Sequence, residues 1–190
     1  ITPILYDGYD GRNSAFAAWI LEYLGRDDTH IMEIVYDEWK EQGRDVFYRP
    51  VPRTEREFTA HINPSVRATI EYVSQTKGLT LVDTRSFEEF IGQSDADQTP
   101  GHIPGAVNVV WQRLVGQDGK LACEENEALR TFQEAHIDIS NTVVTYCKVG
   151  ARAAVGYQAL KRLGFDVKLF DGSYSEWEKS GLPVENPSSG

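Results

Sequence analysis

The stretch Val143-Val144-Thr145-Tyr146-Cys147-Lys148-Val149-Gly150-Ala151-Arg152, followed on to Gly164, decides how this 190-residue chain is read. Its first four residues form a short apolar, β-branched-rich run suited to a buried strand of a parallel sheet. A brief polar loop leads into a segment whose Val155, Ala159, Leu160 and Leu163 share one helical face. Gly164 stands where a helix C-cap glycine belongs. Strands alternating with helices predict an α/β domain with a parallel sheet. Ligands of such sheets bind beyond the carboxyl ends of the strands, where the loop 147–152 falls. A loop entering a helix there aims backbone N–H groups and the positive end of the helix dipole at what it encircles. That environment favours a thiolate at Cys147 and also binds an anion. The plain alternative for Cys147 is a small buried hydrophobe at a strand end.

Working outward, the same skeleton occurs once more. Ile4-Leu5-Tyr6 is followed by a polar loop, a helical face of Phe16, Ile20, Leu21 and Leu24, and Gly25. Tyr6 to Gly25 spans 19 positions and Tyr146 to Gly164 spans 18, and both copies continue to a Trp-x-x-x-Gly ending, Trp39 to Gly43 and Trp177 to Gly181. Duplication explains this better than two chance amphipathic helices. The first copy's loop carries Asp7 and Asp10 and has no cysteine, so one copy reads as reactive and the other as inactive. The second copy has a long run-up. It comprises a helix opened by Asn63-Pro64 with Val66, Ile70 and Val73 on one face, strands Leu79–Asp83 and Ala106–Val110, and a helix near Glu124–Ala135. The first copy reaches its loop within 6 positions of Ile1, so it reads as lacking about 80 residues of its front. The prolines of Arg49-Pro50-Val51-Pro52-Arg53-Thr54 mark a linker. The expected division is 1–48, the rear of an inactive unit; 49–63, the linker; and 64–190, the catalytic unit.

Composition narrows the function. The chain holds 19 Lys+Arg against 29 Asp+Glu, a formal charge of −10. No block of basic residues relieves it, so neither nucleic acid nor an anionic membrane is an expected partner. No stretch approaches the roughly 20 apolar residues of a membrane helix. Two cysteines make no disulfide framework, and no Cys/His spacing suggests a metal site. From Asn141 to Phe165 there is no Asp or Glu, while Lys148, Arg152, Lys161 and Arg162 are cationic. Cys123, beside Glu124 and Glu125, reads as a structural thiol. His102 reads as structural or solvent-facing, and Asp83 with Arg85 as a pair holding one another. Trp111 stands either at the pocket entrance or in the core between the units. Glu88, Glu89, Asp95 and Asp97 read as solvated surface charge.

Four motifs in order carry a resemblance. Val82-Asp83-Thr84-Arg85, Gly101-His102-Ile103-Pro104-Gly105-Ala106, the loop Cys147–Arg152 and Asp171-Gly172-Ser173-Tyr174-Ser175-Glu176-Trp177 resemble the signatures of the rhodanese family of sulfurtransferases. The layout is similar to tandem-domain thiosulfate sulfurtransferases, with an inactive first and an active second domain. The resemblance implies a three-layer domain with a central parallel sheet and helices on both faces, preceded by part of a similar domain. It implies transfer of a sulfane sulfur from thiosulfate to cyanide or a thiol through a Cys147 persulfide, with no metal or organic cofactor. Cys147 is then the nucleophile, and Lys148, Val149, Gly150, Ala151 and Arg152 bind substrate, with Arg85 and Trp111 as outlying members of that set. Lys148 and Arg152 would offset donor charge. Partners would be a small anionic donor and a thiophilic acceptor, together with a second polypeptide supplying the front of the first unit. Cysteine-dependent phosphatases resemble Cys-x5-Arg, one residue longer than this loop, so phosphatase activity is disfavoured. Mercaptopyruvate-specific relatives tend to small uncharged residues after the cysteine, from which Lys148 departs. A non-enzymatic persulfide carrier is the alternative from another class. Free thiols point to a reducing cytoplasm, with the periplasm left open.

Overall fold

A computed structural model describes residues 2–50, 52, 54–55, 57–95, 97–117, 120–137 and 140–189. Val51, Arg53 and Arg56 of the expected linker, and Ile1, lie outside the described residues. The chain begins with β1 (Ile4–Leu5), α1 (Arg12–Tyr23), β2 (His30–Ile31) and α2 (Tyr36–Glu41). Between Glu41 and Pro64 the described residues form neither helix nor strand. There follow α3 (Ile70–Gln75), β3 (Thr80–Asp83), α4 (Phe87–Phe90), β4 (Val107–Asn108), α5 (Glu125–Glu134), β5 (Val143–Tyr146), α6 (Ala151–Arg162), β6 (Val167–Leu169) and α7 (Ser173–Ser180).

The second copy's strands form a four-stranded, all-parallel sheet in the order β4-β3-β5-β6. Alternation along each strand divides its side chains between two faces. Val82 and Val143 join a cluster with Ala128 and Phe132 of α5 and Ala153, Ala154, Tyr157 and Leu160 of α6. Leu81, Val144 and Tyr146 join a cluster with Val73 of α3 and Tyr174 and Trp177 of α7. Helices therefore cover both faces, which accounts for strands with no polar alternation. The expected three layers are present.

The helix expected from Asn63 onward is divided in two. Asn63 does cap, its side chain accepting from Ser65 N–H at 3.1 Å, but only a 3₁₀ turn follows, Pro64–Val66. Ala68 N–H instead donates to Leu169 O at 2.9 Å, extending the backbone beside β6. Thr69 then caps α3 through Tyr72 N–H. Edge pairing to the sheet outweighs helical propensity at this point.

α1 and α6 are alike in length and entry. α1 and α6 each span 12 residues and follow glycines with positive φ, Gly11 at 81° and Gly150 at 97°. α1 packs on α6 through Ala15 and Trp19, which belong to the same cluster as α5 and α6. Trp19 Nε1 donates to Val66 O at 3.1 Å, and Lys161 pairs with Glu22 at 2.7 Å. β1 pairs only with β2 among the described residues, and Ile4 and the following Tyr6 are exposed.

Candidate functional site

Cys147 sits one residue past β5, at the carboxyl edge of the sheet, and its side chain is buried at 1% exposure. Gly150 N–H points at Cys147 Sγ from 3.1 Å. Gly150 allows this because its φ of +97° is one that L side chains rarely adopt. A Cβ there would also lie 3.1 Å from the Phe16 ring of α1 and 3.2 Å from Asp171 O. α1 therefore forms part of the wall around the Cys147 loop. α7 fastens the loop from the other side. Tyr174 N–H donates to Cys147 O at 2.9 Å and Ser175 N–H to Lys148 O at 3.1 Å. Ser173, a non-glycine residue at φ 54°, accepts from Cys147 N–H at 3.2 Å and donates to Phe170 O at 2.8 Å. A strained conformation of this kind persists where the surroundings hold it.

A comparable loop precedes α1. Asp7 follows Tyr6 as Cys147 follows Tyr146. Its buried carboxylate accepts from Tyr9 N–H at 3.0 Å and from Asn13 and Ser14 N–H at 3.1 Å each, at the N-terminus of α1. The chain thus places its own anion in one cradle and a thiol in the other.

The two cations of the loop are ion-paired, and Arg152 interacts with Cys147 as well. Lys148 Nζ is held at 2.6 Å by Asp97 and at 2.6 Å by Glu178. Arg152 forms a fork with Glu89 at 2.6 and 2.9 Å. The acid-free stretch in sequence is surrounded in space by three carboxylates. Glu89 and Asp97 are buried, which corrects the expectation of solvated charge. Ser86-x-x-Glu89 forms a capping box at α4, a signature visible in the sequence. Glu178 lies one turn beyond buried Tyr174 on α7, which also marks its inward face. Nothing in the sequence marked Asp97.

Electrostatics follow from these contacts. Burial alone would raise the Glu89 carboxyl, but the Arg152 hydrogen bonds outweigh it and hold the group below its usual 4.5. Glu178 is lowered likewise, burial opposing and Lys148 prevailing. Groups lowered in the folded state contribute stability above their unfolded value and lose it as pH falls through the folded one. The melting temperature should therefore drop as pH goes from 5 to 3, and Glu89→Gln should flatten that slope in a circular-dichroism series. An unchanged slope in the variant would refute the assignment.

Arg85 is fully buried, which corrects its place among substrate-binding residues. Its backbone N–H, Nε and Nη2 reach Asp83 at 2.6 to 3.1 Å, Nη1 reaches Asp97 at 2.7 Å and Nη2 reaches Gly101 O at 2.7 Å. Burial would lower the Arg85 pKa, yet Asp83 raises it well above its ordinary value. The same burial pushes the Asp83 carboxyl upward, in the opposite sense. With a guanidinium donating to both carboxylate oxygens, the pair is ionic and the Arg85 direction is the one that holds. Trp111 is buried with Trp19 and Ala15, and Arg12 lies over its ring at 4.8 Å, so the core between the copies claims it. His102 is buried, stacked on Phe90 and bonded through Nδ1 to Phe90 O at 2.8 Å. Val149 is 63% exposed at the loop tip. Burial, with Glu127 adding to it, raises the Cys123 thiol. A cavity of about 990 Å³ between α1, β2, residues 120–126 and α6 has Cys123 in its wall and not Cys147. Among the described residues no cluster of three His, Cys, Asp or Glu could hold a metal ion, and no helix is long and apolar enough to cross a membrane.

Residues 65–180 match the family profile of the rhodanese-like domain. The chain belongs to the rhodanese-like domain family. Its similarity extends further than that match. A Mycobacterium tuberculosis protein named "Putative thiosulfate sulfurtransferase" is 31% identical over 97% of this chain and 71% of its own length. A Haloferax volcanii protein of the same name is 31% identical over 97% and 68%. Among solved structures, a 3-mercaptopyruvate sulfotransferase from Escherichia coli superposes with a TM-score of 0.78 at 28% identity, over 90% of this chain and 66% of that one. An anaerobic ergothioneine biosynthesis enzyme from Chlorobium limicola gives 0.85 at 24% identity, which speaks for the fold alone. This rhodanese-like chain spans about half the length of that enzyme, 51%. The architecture is the rhodanese fold.

Proposed function

We propose that this rhodanese-like chain is a sulfurtransferase that accepts a sulfane sulfur from thiosulfate on Cys147 and passes it to cyanide or a thiol. The observation that carries the reading is the Gly150 N–H aimed at Cys147 Sγ from 3.1 Å at the start of α6. A persulfide formed there bears its charge where the loop is built to receive one, so little rearrangement accompanies either half-reaction. Covalent capture splits one transfer between anions into two easier steps. Asp7 in the equivalent cradle supports the preference for an anion. In this reading residues 64–190 form the catalytic unit, residues 1–48 supply α1 as its wall, and 49–63 join them. The three carboxylates around the loop favour one second reading, a donor of lower charge such as mercaptopyruvate.

Intact mass measurement of the reduced protein after incubation with thiosulfate tests the proposal. The expected result is one added sulfur atom, located on Cys147 and removed by cyanide as thiocyanate. Folded protein that gains no sulfur from thiosulfate or from mercaptopyruvate would overturn it. Loading from mercaptopyruvate alone would establish the second reading.

A further inference from the structure

Lys148 is the loop residue nearest Cys147 in sequence, yet its ammonium faces two carboxylates from outside the loop. Asp97 is 1% exposed at its side chain and Glu178 is 6% exposed. Each is itself fixed in place. The second oxygen of Asp97 accepts from Arg85 at 2.7 Å, and that of Glu178 accepts from Gln98 N–H at 3.0 Å and Thr99 N–H at 3.5 Å. With Arg152 already matched by Glu89, the loop's two cations meet three carboxylates. Counting Arg85 with Asp83 as well, this network carries three cations against four carboxylates, one net negative charge, so a donor is drawn by Arg152, which also interacts with Cys147, and by the backbone N–H groups at the α6 terminus.

We propose that Glu178 is a specificity-determining residue that sets how strongly the Cys147 site discriminates between dianionic and monoanionic sulfur donors. This rests on the sulfurtransferase reading. Glu178 touches neither Cys147 nor a donor in this account; it acts by adding the unmatched charge and by holding Lys148 in place. Coulomb energy scales with the charge of the incoming ligand, so the penalty is greater for thiosulfate than for a monoanion of similar shape. Methanethiosulfonate is such a monoanion. With either donor the Cys147 thiolate attacks the terminal sulfur and forms a new S–S bond. The donor's own sulfur–sulfur bond breaks, and its electron pair leaves with sulfite or methanesulfinate. Charge balances on both sides, and no outside oxidant or reductant is required.

The test compares full-length wild type and Glu178→Gln with both donors at pH 7, using cyanide as acceptor. Glutamine removes the charge and keeps an acceptor oxygen for Lys148, while its NH2 replaces the oxygen that accepts from Gln98 and Thr99 N–H. The expected result is a fall in KM for thiosulfate of about fivefold with kcat within about twofold, and a fall for methanethiosulfonate of about twofold. The gain should persist at high ionic strength, because salt screens a nearly buried charge much less than an exposed one. Lys148→Gln should act in the opposite direction, raising KM for thiosulfate more than for methanethiosulfonate. Equal changes for the two donors, an effect on kcat alone, or Lys148→Gln and Glu178→Gln shifting the KM ratio the same way would each overturn the proposal. If Glu178→Gln does not fold, Lys148→Gln with the donor pair and salt series decides the question alone. A wild type that loads sulfur from neither donor would instead refute the underlying sulfurtransferase reading.

Discussion

Cys147→Ser should abolish sulfur transfer while leaving the fold intact. At neutral pH a serine hydroxyl offers no counterpart to a thiolate, and it forms no persulfide. Removing the nucleophile of a covalent enzyme typically lowers turnover by roughly four to six orders of magnitude. The loop should tolerate the change, since Gly150 N–H can donate to an oxygen as it does to Sγ, and the backbone bonds to Ser173 and Tyr174 are unaffected. A loss of at least about 10⁴-fold in thiocyanate production is expected, with a melting temperature within about 3 °C of wild type. Cys123→Ser, whose thiol lies outside the loop and faces the cavity beside α5, should retain activity. Residual turnover above about one per cent in purified Cys147→Ser would place the nucleophile elsewhere.

Arg85→Met is expected to be the most destabilising single change. The residue is buried with no exposed surface and satisfies Asp83, Asp97 and Gly101 O at once, while its guanidinium lies 4.0 Å from the Tyr174 ring centre. Methionine roughly fills the volume but leaves Asp83 buried without a cation. Breaking a buried pair by removing one partner costs about 3–5 kcal/mol. For a chain of this size that corresponds to a fall in melting temperature of about 6–20 °C. Arg85→Lys should rescue little, because a single ammonium cannot reproduce a fork toward two carboxylates and a carbonyl. Neutralising the orphan as well, with Asp83→Asn on Arg85→Met, should recover part of the loss. A thermal melt of Arg85→Met within about 3 °C of wild type would refute this account of the network.

Much of this arrangement is legible along the chain because it depends on neighbours in sequence. The four residues of β5 were readable from their own apolar run, and both α1 and α6 from their faces and terminal glycines. β4 was expected over five residues and spans two, because ladder pairing with β3, rather than the apolar run, decides its length. The split at Arg67 likewise depends on β6, a partner about 100 residues away.

The sequence by itself determined the fold class and the thiol at the end of a buried strand, in a loop that enters a helix. These are local matters of side-chain periodicity and allowed backbone angles. Only the tertiary structure decided the charge of the site. Glu89, Asp97 and Glu178 lie 63, 51 and 30 positions from their partners, and an ion pair depends on distance in space. The two loop cations read from residues 141–165, Lys148 and Arg152, are outnumbered once folded by acids from elsewhere in the chain, because burying a cation requires a partner and folding supplies one.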